Sequence, residues 1–283
     1  MTPQRLTARA VVLARGLGTR MREPDPGAPL SHAQQQAADA GLKTMMPVNG
    51  RPFLDFVLSS LADAGLTQIA LVVAPDHDLL RAHFREAPPT RVQIAFVVQP
   101  DPLGTANAVL AVEPWTRGEP FVALNADNLY PVEALRALAA VGEPAFPAFD
   151  ADDLIRTSNI PADRIRAFAV TTLDEGGYLT GIVEKPKNLP PEGGSHSIQP
   201  VASAFRRKIS MNCWRLDSRI FDACRDVPKS ARGEFELPEA VGVAVARGIR
   251  FRAIPARGPV LDLSRRADAA DVARRLAGTN PCP

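Results

Sequence analysis

A short apolar run near the start of the chain breaks into a turn that carries two glycines and an arginine. Residues 11–14 read Val-Val-Leu-Ala, and Gly16, Gly18 and Arg20 follow them. An apolar run before a glycine turn predicts a buried parallel strand, and α/β proteins bind ligands at the carboxyl ends of such strands. Glycine lets backbone N–H groups approach a polyphosphate, and arginine offers paired donors to its oxygens. The stretch predicts a phosphate-binding loop, although an ordinary turn with a surface arginine would use the same residue types. A dinucleotide-binding fingerprint is disfavoured because Met21 stands at its third glycine position.

Length, composition and charge narrow the class of protein. The 283 residues are 46% hydrophobic and 23% charged, enough for one large α/β domain or two small ones. A net charge of +2 without a run of Lys or Arg argues against a nucleic-acid surface. The apolar run that ends at Arg15 is too short for a signal peptide or a membrane span. We therefore expect a cytoplasmic protein with no nucleic-acid or membrane partner.

The three cysteines point to the same compartment. Cys213, Cys224 and Cys282 are odd in number and form no C-x-x-C pair. That pattern argues against a disulfide framework and against a structural zinc site, and it fits a reducing environment.

Apolar periodicity divides the rest of the chain into alternating strands and helices. Strands are predicted at 68–74, 92–98, 120–124, 210–216, 249–255 and 260–263, and helices at 51–65, 77–84, 105–111, 218–225, 238–247 and 267–277. The sequence Asp-Glu-Gly-Gly at 174–177 predicts a hairpin between 165–173 and 178–183. Alternating strands and helices are typical of βαβ units. The pattern predicts a single α/β domain of three layers around a mixed, mostly parallel sheet.

Six short motifs occur in a fixed order along the chain. They are Gly-Leu-Gly-Thr-Arg at 16–20, Lys-Thr-Met-Met-Pro-Val at 43–48 with Gly-Arg-Pro at 50–52, Gln-Pro-Asp-Pro-Leu-Gly-Thr-Ala at 99–106, Asn-Ala-Asp at 125–127, Glu-Lys-Pro at 184–186 and Leu-Asp-Leu at 261–263. In that order they resemble the sugar-1-phosphate nucleotidyltransferases, which include glucose-1-phosphate thymidylyl- and uridylyltransferases. The resemblance covers nearly the whole chain. It implies a Rossmann-like, GT-A type fold, with a nucleotide-binding half at 1–128 and a sugar-phosphate-binding half at 129–283.

The resemblance also implies a reaction and a set of catalytic residues. In this family a sugar-1-phosphate oxygen attacks the α-phosphorus of a nucleoside triphosphate (NTP) and gives an NDP-sugar and pyrophosphate. Such transfers depend mainly on positioning and charge neutralisation. Arg20 matches the arginine expected on the β- and γ-phosphates, and Lys43 the lysine expected on the α-phosphate. Without the neighbouring Met-Pro-Val at 46–48, Lys43 would fit a solvated surface lysine better.

Two acids match the family's metal ligands. Asp127 follows the predicted strand at 120–124, and Asp262 ends a late apolar strand. Mg²⁺ in proteins is typically held by one or two carboxylates together with phosphates and water. The resemblance therefore implies a Mg²⁺ cofactor held by these two residues, whereas either acid alone would more often cap a turn.

A larger group is expected to bind the nucleotide. Its members are Leu13, Ala14, Arg15, Gly16, Gly18, Thr19, Gln99, Pro102, Gly104 and Thr105. Gln99 carries both a donor and an acceptor, so it could meet the imide edge of uracil or thymine, while Gly104 lets the backbone approach the base. We therefore expect UTP or dTTP as substrate.

The sugar-phosphate site departs from the family pattern. Glu184 and Lys185 match the pair expected on the sugar hydroxyls and its phosphate. Ala169 replaces a glycine that lies against the sugar, and Asn212 and Trp214 stand in place of a G-x-Y pattern. Trp214 could stack on an apolar sugar face or belong to the core. The identity of the sugar is left open.

Two departures fall near the phosphate-binding loop. Arg15 stands where the family has glycine or alanine, and we expect its side chain to point to solvent or to phosphate. The link between Arg20 and Lys43 is longer than usual by about a dozen residues, a length typical of lids. Its segment 31–40 predicts a weakly packed helix or a mobile flap, and we expect it to cover the triphosphate site.

Other functions remain compatible with these residues. A regulatory homologue could bind an NDP-sugar without turnover, and a cytidylyltransferase could act on another phosphorylated alcohol. A glycosyltransferase on a similar sheet would usually show a D-x-D motif, but Asn125 stands at the first acid. The expected partners are an NTP and a sugar-1-phosphate, with a homo-oligomer possible.

Overall fold

The computed structural model describes residues 7–166, 168–183 and 208–283. The predicted sugar-site residues Glu184 and Lys185 lie outside the described residues. Within the described ranges, none of the helices has both the length and the apolar character needed to span a bilayer.

The secondary structure follows the predicted alternation. The strands are β1 (Arg9–Leu13), β2 (Pro47–Val48), β3 (Arg51–Pro52), β4 (Gln68–Val73), β5 (Gln93–Val98), β6 (Phe121–Asn125), β7 (Asn128–Leu129), β8 (Ala145–Phe149), β9 (Ala169–Leu173), β10 (Leu179–Val183), β11 (Lys208–Ser210), β12 (Trp214–Leu216), β13 (Arg252–Ala256) and β14 (Leu261–Asp262). The α-helices are α1 (Thr19–Arg22), α2 (His32–Asp39), α3 (Phe53–Asp63), α4 (Asp78–Glu86), α5 (Thr105–Ala111), α6 (Glu113–Thr116), α7 (Val132–Ala140), α8 (Ala151–Thr157), α9 (Ala162–Arg166), α10 (Ile220–Asp226), α11 (Leu237–Ala246) and α12 (Asp268–Arg275).

One mixed sheet joins both halves of the chain. Its strand order is β10-β9-β11-β8-β12-β6-β1-β4-β5, and β13 pairs in parallel with β8. Strands β6, β1, β4 and β5 are parallel, as βαβ units require, whereas β12, β11, β9 and β10 join by antiparallel pairing. The predicted single α/β domain with a mixed sheet is confirmed. The carboxyl ends of the four parallel strands meet at one edge.

Residues of the parallel strands alternate between two cores, one on each face of the sheet. Val12 and Leu71 pack into the first core, whereas Val11 and Val72 pack into the second. Successive side chains of a strand point to opposite faces, so continuous apolar runs mark strands that are buried on both sides. The predicted three-layer arrangement is confirmed.

The second half differs from the prediction in several places. Helices α7 and α8 and the strand β8 between them have no predicted counterpart. The predicted strand at 210–216 is two strands, β11 and β12, separated by a turn in which Asn212 adopts a φ of +57°. The predicted hairpin strand at 165–173 begins only at Ala169, because the preceding residues form helix α9. Asparagine tolerates the left-handed conformation. An apolar pattern does not show that the chain leaves its pairing with β9 after β11 and pairs with β6 in β12.

The expected flap is a docked helix. Helix α2 is capped by Ser31, and its Gln34 side chain donates to the carbonyl oxygen of Pro47 at 2.8 Å. Arg266 is buried and pairs with Asp39 at 2.7 Å. Of the inserted link, Gly41 and Leu42 line the cleft described below, while α2 lies outside the lining. The hypothesis of a flap over the cleft is therefore wrong for this conformation, because polar contacts at both ends hold the helix beside it.

Candidate active site

A cleft of about 590 Å³ opens at the edge where the parallel strands end. Its lining includes sixteen of the predicted site residues: Leu13, Ala14, Arg15, Gly16, Gly18, Thr19, Arg20, Lys43, Gln99, Pro102, Gly104, Thr105, Asp127, Ala169, Asn212 and Asp262. Most of them lie at the ends of β1, β5 and β6 or in the segments that follow these strands, including the first residues of α1 and α5. Lys43 lies in a 3-10 turn between α2 and β2, and the others lie in β9, in β14 and in the turn between β11 and β12. The topology thus brings together residues that are widely separated in sequence.

Lys43 and Asp127 form an ion pair inside the cleft. The Lys43 Nζ atom lies 2.6 Å from Oδ2 of Asp127, and each side chain is about one-fifth exposed. The Asp127 carboxylate raises the pKa of Lys43, while burial and Arg20 act in the opposite direction. The lysine is therefore a fixed positive charge at neutral pH.

Asp262 is held beside this pair by the pairing of β14 with β7. Residue 262 faces Asn128 in the register, and the next residue, Leu263, donates its N–H to the carbonyl oxygen of Asp127 at 2.9 Å. The Asn128 Nδ2 atom donates to Asp262 Oδ2 at 2.9 Å. Burial and the nearby Asp127 raise the pKa of Asp262 to about 6, and Arg164 opposes that shift.

Arg164 was missed by sequence reasoning. It donates to the Asp262 carboxylate and also to Asp268, with 3.0 Å between Nη1 and Oδ1. Asp268 in turn accepts the backbone N–H groups of Ser264 and Arg265 at 2.9 and 2.8 Å. The Arg164 guanidinium therefore holds the Asp262 carboxylate in position by linking it to Asp268. No pattern around residue 164 signals this contact, because the charged partners lie about a hundred positions away.

The donor set fits a divalent cation that also contacts substrate. Asp127 and Asp262 place two carboxylates on neighbouring backbone segments, and the Asp127 carboxylate helps to raise the pKa of Asp262. Among the described residues, no group of three or more His, Cys, Asp or Glu could enclose a metal. A site of two carboxylates, completed by phosphate oxygens and water, is typical of Mg²⁺ bound together with a substrate and is not typical of a structural metal site.

Gly18 has a structural role in addition to the predicted one. It has a φ of +65°, and a Cβ atom there would lie 2.2 Å from the carbonyl oxygen of Gly41. Gly16, in contrast, has nothing within 4 Å of a Cβ position. Gly18 is thus needed for contact between two loops, and Gly16 is the open position of the predicted phosphate loop.

This difference gives a stability prediction. Gly18→Ala should lower the free energy of unfolding by about 2 kcal/mol, because it combines a strained φ with a backbone clash. Urea unfolding measures the change. Gly16→Ala is the matched control and should leave stability nearly unchanged; equal losses in the two variants would contradict the assigned contact.

The Arg15 side chain, which was expected to point to solvent or to phosphate, donates to the backbone of the loop after β5. Its Nε atom donates to the carbonyl oxygen of Gln99 at 3.2 Å, and its Nη2 atom donates to that of Pro100 at 3.0 Å. The guanidinium therefore joins the loop after β1 to the loop after β5.

The loop after β5 is fixed from within. Gln99 is buried, and its Nε2 atom donates to the Gly104 carbonyl at 3.1 Å and to Asn107 Oδ1 at 2.8 Å. Both amide hydrogens of Gln99 are therefore already donated, one to the loop and one to Asn107 of α5. The side-chain atom that Gln99 can offer a ligand is the acceptor Oε1. The expectation that Gln99 gives a base both a donor and an acceptor is therefore wrong. Gly104 has a φ of +108°, and a Cβ there would lie 2.4 Å from the carbonyl oxygen of Phe235.

Trp214 belongs to the core. It is fully buried and packs against Phe146 and Phe251 with ring centroids 5.2 and 6.1 Å away, so it cannot stack on a sugar in the cleft. Its indole N–H donates to Asn212 Oδ1 at 2.9 Å, and Asn212 Nδ2 donates to Asn125 Oδ1 at 3.0 Å. The prediction that Trp214 binds the sugar is corrected to a role in orienting these two cleft residues.

The lining also contains residues that the sequence analysis did not single out. They include His77, Arg232, Glu236, Ser210 and Ser264. Burial lowers the pKa of His77, so its imidazole is neutral at pH 7. Except for Ser210, which ends β11, these side chains lie between elements, where periodicity carries no signal.

Comparisons with known proteins identify relatives of this chain. A family model described as nucleotidyl transferase matches residues 9–262. UTP–glucose-1-phosphate uridylyltransferase AglF of Haloferax volcanii is 26% identical over 267 residues, which span 94% of this chain and 96% of that protein. Glucose-1-phosphate thymidylyltransferase of Streptomyces antibioticus is 26% identical over 279 residues, 95% of this chain and 66% of that protein.

A solved structure shares the fold. The crystal structure of a UDP-glucose pyrophosphorylase complexed with UDP-glucose aligns with a TM-score of 0.71 at 16% identity, over 97% of this chain and 100% of the other. The family model covers most of the chain. The chain therefore belongs to the nucleotidyl transferase family.

Proposed function

We propose that the protein transfers a nucleotidyl group from UTP or dTTP to a sugar-1-phosphate, giving an NDP-sugar and pyrophosphate. The observation that carries the proposal is the convergence of Arg20, Lys43, Asp127 and Asp262 on one cleft at the ends of the parallel strands. The names of the relatives, which act on glucose-1-phosphate, support this substrate class.

The charges of the cleft suit the chemistry of this transfer. The sugar-phosphate oxygen forms a bond to the α-phosphorus, and the bond to the bridging oxygen of the departing pyrophosphate breaks. Lys43 supplies a fixed positive charge where negative charge builds on the α-phosphate, and Arg20 stabilises the pyrophosphate. Asp127 and Asp262 would hold Mg²⁺, which when bound neutralises charge on the triphosphate.

Gln99 offers a base one hydrogen-bond acceptor. Its amide hydrogens are committed to Gly104 and Asn107, which leaves the acceptor Oε1 for a ligand. The N3–H of uracil or thymine can donate to this oxygen, but so can the N1–H of guanine and the amino groups of cytosine and adenine. The preference for UTP or dTTP therefore rests on the sequence resemblance and on the names of the relatives, and the contact of Gln99 is compatible with it.

A pyrophosphate-release matrix tests the proposal. The common nucleoside triphosphates are paired with a panel of hexose-1-phosphates, with and without Mg²⁺. We expect turnover with UTP or dTTP in the presence of Mg²⁺ and at least tenfold less with CTP, a ratio typical of one mispaired hydrogen-bond group. A purine triphosphate as the best substrate would overturn the base assignment.

The same matrix separates the enzyme from a regulatory homologue. Binding of an NDP-sugar without pyrophosphate release in any combination would favour the homologue. The cytoplasmic location and a homo-oligomeric state stay predictions.

A further inference from the structure

Arg15 reaches across two strands of the sheet. It follows β1, whereas Gln99 and Pro100 follow β5, and β4 lies between these strands. At the usual strand spacing the two loops are about 10 Å apart. Glycine or alanine at position 15 could not bridge that distance, so the arginine adds a connection between the loops.

The contact acts on the residue that faces the base in the proposed function. The Gln99 backbone N–H donates to the carbonyl oxygen of Val73 at 2.9 Å, and its own carbonyl oxygen accepts from Arg15. Its side chain is held by Gly104 and Asn107. The loop also bonds to Phe235, through the N–H of Phe235 and the carbonyl oxygen of Leu103 at 2.8 Å. Arg15 adds a contact that ties the loop to the predicted phosphate-binding loop.

We propose that Arg15 is a positioning residue for base recognition, which holds the Gln99 loop in register with the phosphate-binding loop and does not itself bind phosphate. The proposal rests on the proposed function, because it takes the ligand of the Gln99 loop to be the base. Its Nε and Nη2 donors point to two successive backbone carbonyls, a planar fork that lysine cannot reproduce.

The test separates recognition of the base from recognition of the phosphates. Arg15→Ala and Arg15→Lys are compared with wild type in kinetics and in calorimetric binding of uridine and of inorganic tripolyphosphate. For Arg15→Ala we expect the KM for UTP or dTTP to rise about fivefold to tenfold, the effect of losing charge-assisted hydrogen bonds. We expect kcat to change much less, and uridine binding to weaken while tripolyphosphate binding changes less than about twofold.

The lysine variant and a matched control complete the design. Arg15→Lys keeps the charge but not the fork, so it should resemble Arg15→Ala in base discrimination. Arg136→Ala removes another arginine that donates to a backbone carbonyl, that of Asp63 at 2.9 Å, and should change none of the readouts. Thermal unfolding confirms that each variant is folded.

Three results would overturn the proposal. Weaker tripolyphosphate binding with unchanged uridine binding would make Arg15 a phosphate ligand. An unchanged ratio of UTP to CTP turnover in both variants would show that Arg15 has no part in base discrimination. Full activity in Arg15→Lys with a loss in Arg15→Ala would show that only its charge matters. Failure of the proposed function has a different signature, because wild type would then release no pyrophosphate, while the uridine and tripolyphosphate measurements would still decide the role of Arg15.

Discussion

Asp127→Asn should lower kcat/KM for pyrophosphate release by about 10²–10³-fold, the range observed when one preorganised electrostatic contact is removed. The substitution keeps the shape of the side chain but removes the charge that pairs with Lys43 and would hold a divalent cation. Steady-state pyrophosphate release at saturating Mg²⁺ measures the effect. Because the ion pair is partly exposed, we expect little loss of stability.

A second measurement separates metal binding from general damage to the site. Mn²⁺ bound in place of Mg²⁺ can be titrated by electron paramagnetic resonance, and its affinity should fall in Asp127→Asn. Asp226→Asn is the matched control, since Asp226 pairs with Arg247 on the surface at 2.6 Å. If Asp127→Asn kept activity within about threefold of wild type, the electrostatic role assigned to this carboxylate would be wrong.

Lys43→Met should lower kcat by a similar factor, about 10²–10³-fold, with a smaller change in the KM for the NTP. The reason is that the lysine is expected to act on charge that develops on the α-phosphate during the reaction. Methionine keeps the unbranched shape and most of the length of the lysine side chain, and it removes the charge. Initial rates over a range of NTP concentrations separate kcat from KM.

Lys208→Met is the matched control for this substitution. Lys208 also pairs with an aspartate, Asp150, at 3.2 Å, but it lies in β11 and outside the cleft lining. It should retain wild-type kinetics. A rise in KM alone in Lys43→Met would mean that the lysine binds substrate and transition state equally, contrary to the role proposed here.

The sequence predicted the parallel half of the fold because its signals are local. Apolar runs bounded by glycine turns predict strands such as β1 and β4, and helical spacing predicts α3. Most predicted site residues line the cleft because they follow such strands, and the carboxyl ends of parallel strands share an edge. Position after a strand is therefore enough to place Arg20, Gln99 and Asp127 near one another.

The remaining features depend on contacts that no local pattern records. Arg164 contacts Asp262 from the short helix α9, whose last two residues were predicted to begin a hairpin strand. Trp214 could have belonged to the cleft or to the core, and only the packing of Phe146 and Phe251 decides. The direction of Arg15 could not be predicted either, because its acceptors are backbone carbonyls, which every residue carries.

The pairing of β14 with β7 has a consequence for biosynthesis. Asn128 and Asp262 are joined by a hydrogen bond although 134 positions separate them in the chain. A ribosome therefore releases the glycine turn, Lys43 and Asp127 long before the residue that completes the pair of carboxylates. A nascent chain halted before position 262 holds the parallel strands and one acid of the cleft, so the pair of carboxylates is complete only after residue 262 has been synthesised.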